Sequence, residues 1–230
     1  MIDFTTFEER NSLNFKNKDL LKQAFVHRSY INENSVVGLQ HNERLEFLGD
    51  AVLELVTTEE LFRKYPDKSE GELTAIRAAM VNTYSISEAA TRLGMNDYLL
   101  LSKGETKDTG KAREYILANT FEAIIGAIYL DKGYDASEKF IEDSLFIKIE
   151  EIVSKKLWRD AKSLVQERSQ EIFGVTPKYE VLEESGPDHD KNFTIGIYFG
   201  PTLIGKGAGK SKQEAEQVAA KAALKAKNWS

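Results

Sequence analysis

The chain contains no cysteine. That excludes disulfides and any thiolate zinc site, and it fits a reducing compartment. Long apolar runs are also missing. The longest candidate, residues 121–130, is too short to span a membrane and suits a buried core helix. Residues 1–9 lack both the basic and the apolar stretch of a signal peptide, so the expectation is a cytoplasmic protein with no membrane partner. Nor is there an excess of positive charge: the formal net charge is −6. Residues 160–230 balance ten Lys and Arg against ten Asp and Glu, so the whole deficit falls on the first 159 residues. Bulk charge is therefore no argument for a polyanionic partner, and any affinity for nucleic acid has to come from local clusters. An acidic first part is compatible with a metal-binding cleft.

What is present divides into two patterns. In the first 150 residues apolar side chains recur at three and four: Leu45, Leu48, Val52, Leu55 and Val56, then Leu73, Ile76, Ala79 and Met80, then Ile116, Phe121, Ile124, Ile125 and Ile128. Breakers separate these runs, and the pattern predicts about seven helices and no sheet before residue 158. Residues 141–158 read as a charged amphipathic helix. After it the pattern becomes a helix over 163–173, three strands over 177–183, 192–199 and 202–207, and an alanine-rich helix over 211–227 with Ser211 as its N-cap. The middle strand alternates Phe193, Ile195, Ile197 and Phe199. The boundary falls near residues 155–159, which gives domains 1–155 and 160–228.

The densest chemistry lies in residues 41–50, His-Asn-Glu-Arg-Leu-Glu-Phe-Leu-Gly-Asp. Glu43, Glu46 and Asp50 are spaced at three and four and share one helix face. Leu45, Phe47 and Leu48 between them are apolar, so the helix is partly buried. Stacked carboxylates on such a helix need a balancing cation, because unpaired buried charge is costly. Arg44 could neutralise one of them, a divalent metal could hold Glu46 and Asp50, and a solvated stripe held by i,i+4 pairs is the bland alternative. A second helix presents Asn119 and Glu122 three residues apart. No serine sits in a strand-to-helix nucleophile turn, and His27 and His41 read as structural.

Residues 41–53 resemble the signature of the ribonuclease III family, the double-stranded-RNA endonucleases. Residues 20–30, 71–74, 77–82 and 116–131 are similar to further blocks of that family, so the resemblance covers essentially the whole chain. It implies an all-α N-terminal endonuclease and dimerisation domain followed by a small α+β (α-β-β-β-α) double-stranded-RNA-binding domain. It implies Mg²⁺ (with Mn²⁺ as a substitute) held by Glu46, Asp50, Asn119 and Glu122, with Asp50 and Glu122 catalytic and Glu43 and Glu72 supporting the cleft. It also implies a homodimer in which Phe47 inserts into the partner, staggered cuts with short 3′ overhangs, and work on ribosomal and messenger RNA. The family position matched by Asn119 is usually aspartate. If that position holds metal through a water, asparagine still serves; if it ligates directly or accepts a proton, activity falls.

In the second domain three regions match the family of duplex-binding modules: Gln166, Glu167 and Gln170 on the first helix, Pro187, Asp188 and His189 in the first turn, and Lys210, Ser211, Lys212 and Gln213 before the last helix. No acid occurs between Lys191 and Gln213, so Lys206, Lys210 and Lys212 form an expected basic patch. Three readings follow: a metal-dependent duplex-RNA endonuclease, a duplex-RNA-binding protein that does not cut because of Asn119, and a helical dimer that has lost both roles.

Overall fold

The computed structural model describes residues 2–34, 38–158, 160–187 and 191–229. The chain divides into two compact units, residues 1–158 and 159–230.

The first unit is helical. Its elements are α1 (Phe4–Arg10), α2 (Lys18–Ala24), α3 (Arg28–Glu33), α4 (Glu43–Lys64), α5 (Glu70–Met80), α6 (Thr83–Arg92), α7 (Lys103–Lys107), α8 (Lys111–Lys132), α9 (Tyr134–Ser144) and α10 (Ile149–Ser154), with 3-10 turns at Met95–Tyr98 and Phe146–Lys148. Periodicity undercounts these helices because α1, α3, α7 and α10 have only 7, 6, 5 and 6 residues, too short to display a repeat. Side-chain caps define many of the starts: Asp3, Asn17, Ser69, Asn82 and Ser102 each accept a backbone N–H of the first turn.

Helix α8 runs through the middle. Eleven of its 22 residues are buried, including Phe121, Ile124, Ile125 and Ile128, as expected of a helix that is apolar nearly all round. Helix α4 packs along it, and α2, α6 and α9 cover its other sides. The apolar stripe expected on α4 is shifted: Leu45, Val52, Leu53 and Val56 enter the core, whereas Leu55 is exposed. The expected single helix over 141–158 is also broken. Ile141 and Leu145 belong to the main core, whereas Ile149 and Ile152 pack with Leu61, Ile76 and Met80 in a separate cluster. One straight helix cannot serve both, so the chain turns at residues 145–148.

The second unit holds α11 (Ala161–Phe173), β1 (Lys178–Ser185), β2 (Asn192–Phe199), β3 (Thr202–Gly209) and α12 (Lys212–Lys227). The sheet is antiparallel in the order β1-β2-β3. Ile195, Ile197 and Phe199 are buried as their alternation predicts. Helix α12 lies very close to β3. A Cβ on Gly207 would stand 2.2 Å from the Ala219 nitrogen and 2.4 Å from the Ala215 oxygen. Glycine on the strand and alanine on the helix thus let the two backbones approach.

Candidate active site and nucleic-acid interface

Helices α4 and α8 cross at two glycines. A Cβ on Gly49 would lie 1.7 Å from the Glu122 carbonyl oxygen, and one on Gly126 would lie 2.2 Å from the Leu45 carbonyl oxygen. Leu45 faces Gly126 while Gly49 faces Glu122, so the helices run antiparallel in near backbone contact. Sequence reasoning missed this pair. The available signal was two glycines inside helical patterns, each costing about 1 kcal/mol relative to alanine.

The crossing sets the acids against one another. Glu46 and Asp50 lie one turn apart beside Gly49, and Glu122 follows on α8. Glu122 is half-buried, and its pKa is pushed up to about 8, first by burial and then by the charges of Asp50 and Glu46. Glu46 is raised as well, by burial and by Glu43 and Asp50. Among the described residues no Lys, Arg or His forms an ion pair with Glu46, Asp50 or Glu122. Arg44 is exposed and pairs with none of them. A stripe neutralised by i,i+4 pairs is therefore not what forms. Nor, among the described residues, do three or more Asp, Glu or His side chains close around one point as a ready metal cage.

Asn119 is half-buried on the same side of α8. Glu43, at the start of α4, lies 3.6 Å from Arg28 and 3.7 Å from His41 Nδ1. Glu72 is engaged elsewhere. It closes a capping box with Ser69 at the start of α5 and pairs with Lys68 at 3.2 Å. The Ser69 N–H and the Lys68 ammonium hold its pKa below the usual range. His27 caps α3 by accepting the Ser29 N–H, and burial lowers its pKa; that is the structural part expected for it.

Phe47 is 81% exposed, on the side of α4 away from Leu45 and Gly49, which meet α8. Leu55 and Phe62 are exposed on the same side of α4, so one apolar stripe lies opposite α8. The chain before α8 is held by Arg113. Its guanidinium donates to the Glu105, Thr106 and Asp108 carbonyls and to Asn96 Oδ1 at 2.8–3.2 Å.

In the second unit Gln166, Glu167 and Gln170 are exposed on α11, with Gln170 donating to Thr176 Oγ1 at 3.3 Å. Pro187 is exposed, whereas Asp188 and His189 lie outside the described residues. Ser211 caps α12 by accepting the Glu214 N–H, and Lys210, Lys212 and Gln213 are exposed around it. Lys212 stands over the Phe193 ring. The turn is not free of acid, because the Glu214 carboxylate accepts the Lys210 backbone N–H at 2.7 Å. Among the described residues no helix is long and apolar enough to cross a membrane.

The profile of the Ribonuclease-III-like family matches residues 17–149, and that of the double-stranded RNA binding motif matches residues 161–227. The chain is 46% identical to Ribonuclease 3 of Desulforamulus reducens over 94% of its length and 88% of that protein. It is 45% identical to Ribonuclease 3 of Enterococcus faecalis over 96% of each chain. The crystal structure of the nuclease domain of ribonuclease III from Campylobacter jejuni aligns with a TM-score of 0.56 at 38% identity, covering 66% of this chain and 96% of that one. The two profiles fall on the two units in turn and the relatives span nearly the whole chain; the chain belongs to the ribonuclease III family.

Proposed function

We propose that the chain is a divalent-metal-dependent endonuclease of double-stranded RNA, with Mg²⁺ as its ion and Mn²⁺ as a substitute. The observation that carries this reading is the uncompensated group of Glu46, Asp50 and Glu122 at the α4–α8 crossing. Its donors are all oxygens, the kind that hard divalent cations prefer, and Asn119 adds a neutral carbonyl. These four side chains would hold the ion, with the carboxylates rotating inward to share it. A bound ion would supply an activated water and charge neutralisation at the phosphodiester. Asp50 and Glu122 would orient that water and hold its proton at their carboxylate oxygens. Glu43 would support the cleft. Glu72 serves mainly as the α5 cap, which weakens its assignment to substrate.

The duplex would be held by Gln166, Glu167, Gln170 and the turn at Pro187, Asp188 and His189 in successive minor grooves, and by Lys210, Ser211, Lys212 and Gln213 on the phosphates between them. The exposed stripe of Phe47, Leu55 and Phe62 fits a homodimer, in which two sites cut opposite strands and leave short 3′ overhangs. The test is cleavage of an end-labelled RNA duplex with Mg²⁺. Staggered products, abolished by EDTA and by Glu122→Gln, are expected. A duplex that is bound and left intact would overturn the reading. Asn119 favours a second reading, a duplex-RNA-binding protein without cleavage, and restored cutting in Asn119→Asp would select it.

A further inference from the structure

We propose that Tyr115 is a further substrate-contact residue, lining the acid cleft and hydrogen-bonding the sugar–phosphate backbone of the bound duplex. The proposal rests on the endonuclease reading above. At 100° per residue Tyr115, Asn119, Glu122 and Gly126 fall within about 60° of one line along α8. Gly126 meets Leu45 and Gly49 of α4, so this line is turned toward α4. Because the helices are antiparallel, the line leaves the crossing past Glu122 and Asn119 and reaches Tyr115 on the Asp50 side. Exposure rises along it: Gly126 is buried, Glu122 and Asn119 are half-buried, and Tyr115 is 58% exposed. That gradient runs from the crossing, past the acids, out to solvent at Tyr115.

Nothing within the unit accounts for an aromatic ring at this place. The next three residues, Ile116, Leu117 and Ala118, are buried, while the Tyr115 ring pairs with no other ring and its hydroxyl has no hydrogen-bond partner among the described residues. Tyr115 is also separate from the stripe of Phe47, Leu55 and Phe62, which lies on the side of α4 turned from α8. Its place is fixed, because Arg113 two residues earlier anchors the start of α8 through four hydrogen bonds. The chemistry suits an acid-lined cleft. A lysine here would pair with the carboxylates. A neutral phenol leaves them free for a cation and still donates to a phosphate or ribose oxygen, while its ring packs on the sugar.

Two measurements on the full chain test this. In steady-state cleavage of a short RNA duplex, Tyr115→Phe lowers kcat/KM about tenfold, the loss of one hydrogen bond to a charged or polar backbone oxygen. Sedimentation and melting temperature stay at their native values. A photoreactive benzophenone amino acid at position 115 crosslinks to the duplex. Native kcat/KM in both Tyr115→Phe and Tyr115→Leu would overturn the proposal, and so would a crosslink that joins two copies of the chain and not RNA. If the native chain does not cut at all, the endonuclease reading fails by itself. The crosslink still decides Tyr115, since it reports contact and not cleavage.

Discussion

Substituting Gly49 by alanine tests the geometry from which the site is built. The added Cβ would lie 1.7 Å from the Glu122 carbonyl oxygen, 2.6 Å from its carbon and 2.9 Å from the Gly126 nitrogen. These atoms are backbone of a buried helix and cannot swing aside. Ordinary contact needs about 3.4 Å, so α4 and α8 must separate by roughly 1.5 Å. Overpacking of this kind costs about 1–3 kcal/mol, and here the upper end applies. Alanine returns up to about 1 kcal/mol through helix propensity. A net loss of about 2 kcal/mol follows, which lowers Tm by roughly 5 °C for a unit of this size. The same shift carries Glu122 away from Glu46 and Asp50, and misplacement by about 1 Å reduces a rate by about a hundredfold. Gly71→Ala is the control. Gly71 lies in α5 with nothing within 4 Å of an added Cβ, so it gains stability and cleaves normally. Thermal melts by circular dichroism and single-turnover cleavage read the pair. A Gly49→Ala chain as stable and as active as the native one would refute the close crossing.

Three further predictions follow from particular contacts. The carboxyl of Glu122 has a folded pKa of about 8 against an ordinary value of 4.5, so the folded chain holds a proton that the unfolded chain releases. The linked stability is complete below about pH 4.5 and is lost as the pH rises to about 8. Metal-free protein therefore loses up to a few kcal/mol across that window in denaturant titrations, and Glu122→Gln, which stays neutral, shows a flatter profile; equal profiles would contradict the clustering. Ser69→Ala opens the capping box with Glu72 and lowers stability by about 1 kcal/mol in urea melts. Lys212→Ala weakens duplex binding evenly across sequences and reduces the slope of log K against log salt by about one, measured by anisotropy.

The two-part organisation, the helical first unit and the α-β-β-β-α second unit were legible because they rest on periodicity, which a sequence carries locally. Strand β2 and helix α12 fall where alternation and the Ser211 cap place them. Three things were not legible. Helices of one or two turns such as α7 carry no repeat. Leu55 has the right spacing for the core but lies on the flank of α4 that α8 does not cover. The break at residues 145–148 comes from two separate cores competing for one stretch of chain. Spacing placed Glu46 and Asp50 on one helix face, but their assignment to a site with Glu122 came from the family resemblance, because the spacing on one helix says nothing about the other. Their juxtaposition depends on Gly49 and Gly126, whose meaning appears only once the two backbones touch. Glu72 shows the reverse. It has the right residue type, yet the local capping box with Ser69 claims its carboxylate.

The most direct test of the central claim sets the native chain beside Asn119→Asp on one end-labelled RNA duplex, in single turnover, across a Mg²⁺ titration with product ends mapped. The α4–α8 cluster with three carboxylates is expected to cut both strands with a stagger. Asn119→Asp should reach its half-maximal rate at lower Mg²⁺ and give the same ends. A native chain that binds the duplex and leaves it intact at every Mg²⁺ concentration, while Asn119→Asp cuts it, would contradict the claim.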